Sequence, residues 1–146
     1  MSDRAETILV ADGEEHILRL LELYLGREGF VVANAGACGT AMEMFAELAP
    51  DLVVLEAAME GGKGLDVLRR IRERSAVPVI MFTAYDTPDE HDACLELGAD
   101  DLVTKPFRPR DLVARVHTVL RRSRMNLGRV RVPGGCDPFS TERKAG

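Results

Sequence analysis

The sequence predicts a doubly wound α/β fold: a five-stranded parallel sheet with helices on both faces. Three observations carry this. Short, wholly apolar runs alternate with stretches whose apolar residues recur every three or four positions. The runs lack a polar face, as strands buried on both sides require. Strand and helix patterns also alternate strictly along the chain, the signature of parallel strands joined by crossover helices.

Ile8-Leu9-Val10-Ala11 reads as the first strand. Ile17, Leu18, Leu21 and Leu25 then share one helical face, and the helix ends near Gly26 or Gly29. Phe30-Val31-Val32-Ala33 is the second strand. Ala41, Met42, Phe45 and Leu48 line the next helix, which Pro50 stops. Leu52-Val53-Val54-Leu55 is the third strand, apolar throughout. A loop with Gly61, Gly62 and Gly64 leads into a helix carrying Leu65, Val67, Leu68 and Ile71. Val77 to Phe82 is the fourth strand, with Pro78 tolerable near its start. Asp89 to Leu97 is helical, closed by Gly98, and Leu102-Val103 is a short fifth strand. Pro109 opens a last helix with Leu112, Val113, Val116, Val119 and Leu120 inward. Residues 1–124 make one domain, and 125–146 read as a linker or tail.

Composition narrows the function. The 146 residues, 46% hydrophobic and 29% charged, suit one compact domain with its own core. The net charge of −5 argues against a general nucleic-acid surface, which needs a basic face. Cys38, Cys94 and Cys136 are odd in number and lack metal-ligand spacing, so free thiols in a reducing cytoplasm are expected. No apolar run approaches the roughly 20 residues of a membrane span, and Met1 to Thr7 is too polar for a signal peptide. A cytoplasmic protein without a membrane partner is expected.

Four polar residues stand where apolar strands end: Asp12 after the first, Glu56 after the third, Thr83 after the fourth and Lys105 after the fifth. In open parallel sheets, ligands bind beyond the carboxyl ends of the strands. Two carboxylates, a hydroxyl and an ammonium at one edge suit a phosphoryl-like anion or a divalent cation. Any one of them could be an ordinary solvated strand end; four together are harder to dismiss. Dinucleotide, Walker and nucleophile-elbow motifs are missing. His16, His91 and His117 fall in helices with no shared face.

Four stretches resemble response-regulator receiver domains: Ile8-Leu-Val-Ala-Asp12-Gly-Glu-Glu15, Pro50-Asp-Leu-Val-Val-Leu-Glu56, Pro78-Val-Ile-Met-Phe-Thr83-Ala84 and Leu97-Gly-Ala-Asp-Asp-Leu-Val-Thr-Lys105-Pro-Phe107. The resemblance runs in register from residue 7 to about 123. It implies strand order 2-1-3-4-5 and a cis peptide between Lys105 and Pro106. It also implies a binding module rather than an enzyme, with no catalytic residue assigned. In the family, two acidic residues after the first strand and an aspartate after the third hold Mg²⁺; a Thr or Ser and a Lys contact the phosphoryl oxygens.

This chain departs at both acidic positions. Gly13 stands where the second acid of the pair belongs, and Glu56 where the phosphoacceptor aspartate belongs. Glu60 and Lys63 replace the usual Pro and Asp of the following loop. Mg²⁺ demands near-octahedral oxygen ligands, so losing a carboxylate leaves at most weak binding at Asp12 and Glu56, with Glu14 able to reach in only from a different backbone position. Glu56 is longer than aspartate by about 1.5 Å. Phosphoryl transfer depends mainly on positioning and charge stabilisation. An ångström of misplacement costs on the order of 100-fold. Phosphorylation-independent control is therefore expected. Two forms of it are open: a frozen active state, in which Glu56 meets Thr83 or Lys105 as a phosphoryl group would, and a silent site, in which Glu56 pairs with Lys105 and control lies elsewhere, for instance in a small molecule at this edge. The first is preferred from sequence. Leu102, where relatives often carry an aromatic, puts the usual coupling of Thr83 to the outer face in doubt.

The resemblance points further to the subgroup of OmpR-type winged-helix regulators, which pair through the fourth helix, fifth strand and fifth helix. Asp100, Asp101, Arg115 and Arg122 occupy its charge-pair positions. His91 and His117 stand where relatives carry Arg or Lys, opposite Asp111 and Glu96 respectively. A homodimer through this face is expected; ordinary solvated helix charge is the plainer alternative. Val130 to Ser140 resembles the opening strands of an OmpR-type DNA-binding domain, so transcriptional control through DNA contacts made outside this chain is the leading expectation. A frayed tail and a stand-alone receiver acting through protein contacts are the alternatives. An enzyme on a flavodoxin-like fold would need a phosphate-binding loop after the first strand, where Asp12-Gly-Glu-Glu15 is acidic.

Overall fold

The computed structural model describes residues 5–59, 64–84 and 87–125. Five strands and five helices alternate: β1 (Thr7–Ala11), α1 (Glu15–Arg27), β2 (Val31–Ala35), α2 (Cys38–Leu48), β3 (Leu52–Glu56), α3 (Gly64–Arg72), β4 (Val79–Thr83), α4 (Pro88–Glu96), β5 (Asp101–Thr104) and α5 (Pro109–Met125). The strands are parallel, in the order β2-β1-β3-β4-β5. The fold class and strand order match the expectation.

The period of two along each strand divides the core into two layers. Leu9, Ala11, Val53, Leu55, Val79 and Met81 face one side, covered by Ala41 and Phe45 of α2, Val67, Leu68 and Ile71 of α3, and Cys94 of α4. Ile8, Val10, Leu52, Val54, Ile80, Phe82 and Val103 face the other, covered by Ile17, Leu21 and Leu25 of α1 and by Leu112, Val116, Val119 and Leu120 of α5. Each fully buried large apolar side chain contributes roughly 1.5–3 kcal/mol, so the central strands anchor the fold and hold their C-terminal ends in fixed register. That register aligns Ala11 with Leu55, Glu56 with Phe82, and Thr83 with Thr104.

Element ends differ from expectation by one or two residues. β2 begins at Val31, because Phe30 still closes the turn after α1: its N–H donates to the Leu25 carbonyl, and Gly29 takes φ +94°. β4 begins at Val79; Pro78 has no N–H, although its carbonyl accepts from Val53. β5 extends to the polar Asp101 and Thr104, which apolar patterning could not claim. Leu48, expected inward, is 42% exposed in the last turn of α2, where the chain leaves through Ala49 at φ 45°. Cys38 and Cys94 are free and buried, and burial pushes the Cys94 thiol up to about 11. Glu60 to Lys63, Cys136 and the tail from residue 126 lie outside the described residues. No helix of the described residues is long and apolar enough to cross a membrane.

Candidate functional site

The carboxyl ends of β1, β3 and β4, with the turn after β5, bring the sequence-singled residues together. Asp12 follows β1 and is fully buried; its backbone N–H donates to Ala35 at 3.0 Å, and its Oδ1 accepts the Glu14 N–H at 2.8 Å. Glu56 closes β3. Its Oε1 accepts the Gly13 N–H at 2.8 Å and its Oε2 accepts from Lys105 Nζ at 3.0 Å. Lys105 follows β5, with its N–H on the Thr83 carbonyl at 2.8 Å and a cis bond to Pro106, as the resemblance implied.

Lys105 Nζ is the hub. It lies 2.8 Å from Glu14 Oε1, 3.0 Å from Glu56 Oε2 and 2.9 Å from Asp12 Oδ2. The Asp12 contact is an ion pair without hydrogen-bond alignment, since Oδ2 is buried and accepts no directed hydrogen bond. The lysine side chain is 12% exposed and sits 5.9 Å from the centroid of the Phe82 ring, which stacks on Phe107. Burial raises the Asp12 carboxyl above its usual range, with Lys105 and the Glu14 N–H opposing the shift. Burial would lower Lys105, but its contacts with the carboxylates of Glu14, Asp12 and Glu56 outweigh that and hold it above the ordinary lysine value. Glu14 is lowered by its hydrogen bond to Lys105.

Glu14 therefore reaches the site, from the turn that Asp12 closes. Its backbone displacement, read as an obstacle in the sequence, is bridged by a longer side chain. The Gly13 N–H was missed altogether, because a backbone donor leaves no mark in residue type. Thr83 is 2% exposed, and its hydroxyl donates to Glu90 Oε1 of α4 at 3.5 Å. Leu102 is part-buried against the α2–α3–α4 layer of the core.

Gly64 is needed where it stands. Its N–H donates to the Ala57 carbonyl at 2.8 Å, and a Cβ on it would fall 1.9 Å from the Glu56 carbonyl oxygen. Gly64→Ala is expected to cost about 1–3 kcal/mol or more, as backbone overpacking does. A urea titration that left the midpoint unchanged would contradict this packing.

The residues of the expected dimer face divide. His91 and Glu96 on α4, and Asp111 and Arg122 on α5, are exposed. Four others are engaged within the chain. Asp101 pairs with Arg115 at 2.9 Å. Asp100 takes Arg72 of α3 at 3.0 Å, a partner not foreseen. His117, expected to meet Glu96 across a dimer, lies 2.8 Å from Glu28 and beside the Phe30 ring, because α5 packs on α1.

Residues 8–117 match the response regulator receiver domain family. The chain is 41% identical over 120 residues to the sensory transduction protein RegX3 of Mycolicibacterium smegmatis, covering 82% of this chain and 53% of that protein. It thus spans about half the length of this relative. A two-component response regulator from Clostridium difficile superposes with a TM-score of 0.78 at 27% identity, covering 81% of this chain and 98% of that one. The CheY-like receiver domain protein of Methanospirillum hungatei JF-1 shares the fold, with a TM-score of 0.80 at 24% identity over 84% of this chain and 99% of that one. With the strand order and the polar strand ends, these matches place the chain in the response-regulator receiver domain family.

Proposed function

We propose that this receiver works as a cytoplasmic, non-enzymatic signalling module whose output does not depend on phosphoryl transfer to Glu56. One observation carries the reading: both carboxylate oxygens of Glu56 are already engaged, one by the Gly13 N–H and one by Lys105. Those two bonds fix the orientation of a carboxylate already one methylene longer than aspartate, and for in-line transfer a misplacement of about an ångström costs on the order of 100-fold. The Glu56–Lys105 pair fits both forms, and the Thr83 hydroxyl donating to Glu90 Oε1 is what favours the silent-site form over the frozen active state. Control then passes through contacts of the α4–β5–α5 face, where His91, Glu96, Asp111 and Arg122 remain available to a second copy. Transcriptional output through a DNA-binding domain outside this chain rests on the resemblance of Val130 to Ser140 to the opening strands of such a domain, and this chain spans 53% of the sensory transduction protein RegX3.

Incubation with acetyl phosphate and Mg²⁺, followed by intact-mass analysis, tests the reading. No adduct is expected under conditions that label an aspartate-bearing receiver. A hydroxylamine-labile phosphoryl group on Glu56, formed at a comparable rate, would sink it.

A further inference from the structure

The fold family implies Mg²⁺ at these strand ends, and three carboxylates are at hand: Asp12, Glu14 and Glu56 each offer an oxygen within 4.8 Å of the others. The arrangement does not fit the ion. Mg²⁺ holds oxygens at about 2.0–2.1 Å in near-octahedral order. Here one oxygen from each carboxylate lies 2.8–3.0 Å from a single nitrogen, Lys105 Nζ. Those are ammonium–carboxylate distances. An ion bridging the same oxygens would have to occupy the volume of the ammonium itself.

The two departures from the family pattern meet at one hydrogen bond. Gly13 lacks the carboxylate that the pattern expects, and its N–H holds Glu56 Oε1 at 2.8 Å. The extra methylene of Glu56 lets one carboxylate span from that N–H to Lys105 Nζ. A carboxylate on residue 13 would set a further negative charge beside Glu56 and oppose this bridge, whereas glycine leaves the N–H open to it.

We infer that Lys105 is the resident cation of this pocket, locked by the Gly13–Glu56 bond, and that the pocket consequently takes no divalent ion. Gly13 and Glu56 act as one compensating pair: together they replace a metal site by an internal ammonium. The inference rests on the engaged Glu56 of the proposed function, but it concerns cation occupancy rather than phosphoryl transfer.

Mn²⁺ is the probe, followed by loss of the free-ion electron paramagnetic resonance signal on titration of the full 146-residue chain. Lys105→Gln is expected to bind Mn²⁺ at least about tenfold more tightly than wild type, because a unit positive charge leaves the centre of three carboxylates. The double variant Gly13→Asp/Glu56→Asp keeps Lys105 and is expected to gain at least as much. Gly13→Asp and Glu56→Asp alone should gain less than their combination predicts, since contacting residues couple. If Lys105→Gln does not fold, the double variant decides by itself. Wild-type binding as tight as that of the double variant overturns the inference, as does the absence of any gain in the folded variants. Phosphorylation of wild type without Mn²⁺ binding would defeat the regulatory reading and leave this one standing; Mn²⁺ binding without phosphorylation would do the opposite.

Discussion

Lys105→Met is expected to lower the unfolding free energy by about 3–5 kcal/mol at pH 7.5, the cost of stranding a buried charge. Most of that loss comes from Asp12, which is fully buried and whose Oδ2 lies 2.9 Å from the Lys105 ammonium. Glu14 is half-exposed and adds little, because water screens it. The pH dependence carries a definite sign. Burial already raises the Asp12 carboxyl above its reference of 3.8, against the pull of Lys105. A carboxyl raised in the folded state stabilises the fold below that reference, and the contribution is lost as pH climbs through the folded value. Removing Lys105 removes the opposition and moves the upper end of this window upward. The gap between variant and wild type should therefore narrow as pH falls from 7.5 toward 5. It should also narrow at the alkaline extreme. Lys105 is held above its ordinary 10.5, so the stabilisation it provides is complete below that value and disappears as pH rises through its raised one. Urea titrations at pH 5, 6 and 7.5 measure the gap directly. A difference under about 1 kcal/mol, or one independent of pH, would mean that the ammonium does not neutralise a buried Asp12.

Arg72→Ala is expected to cost a comparable amount, about 3–5 kcal/mol, by a different route. The Arg72 side chain is 7% exposed at the end of α3. Its guanidinium donates to the Gly98 carbonyl from Nε at 3.1 Å and from Nη2 at 2.9 Å, to the Val77 carbonyl at 2.6 Å, and to Asp100 Oδ2 at 3.0 Å. The same Asp100 oxygen accepts the Val79 N–H at 2.9 Å. One side chain thereby ties the end of α3 to the start of β4 and to the turn between α4 and β5. Truncation takes this donor from the Asp100 carboxylate and from the Gly98, Val77 and Ser75 carbonyls in a confined space, and each buried unsatisfied group costs about 1–3 kcal/mol. Arg72→Ala paired with Asp100→Asn in a double-mutant cycle isolates the ion pair. The double variant should lose clearly less than the sum of the singles. Additive losses would show that the carbonyl contacts, and not Asp100, hold the arginine.

The two results bear on different links between sequence and function. Lys105 sets the electrostatics of the strand-end pocket, whereas Arg72 fixes where β5 begins and hence the face on which Asp101, Arg115 and Glu96 are displayed. Asp100, read from sequence as an intermolecular charge, is spent within the chain on that second task. Of the residues expected on a dimer face, His91, Glu96, Asp111 and Arg122 are exposed.

Patterning alone determined the five strands, the five helices, their alternation and the polar groups at the strand ends. Those properties follow from which side chains must leave water, and hydrophobic period reports that directly. The substitutions at positions 13 and 56 were equally plain, since residue type is the whole of that information. Packing decided the rest. Glu14 joins Lys105 across a separation of 91 residues, Arg72 finds Asp100 across 28, and His117 reaches Glu28 across 89. None of these pairs follows a helical or strand period, and any exposed charge has many candidate partners of opposite sign. The Gly13 N–H on Glu56 is still further from view, because every residue except proline carries that donor. Which of them meets a carboxylate depends on the register of β1 against β3, and only the folded sheet sets that register.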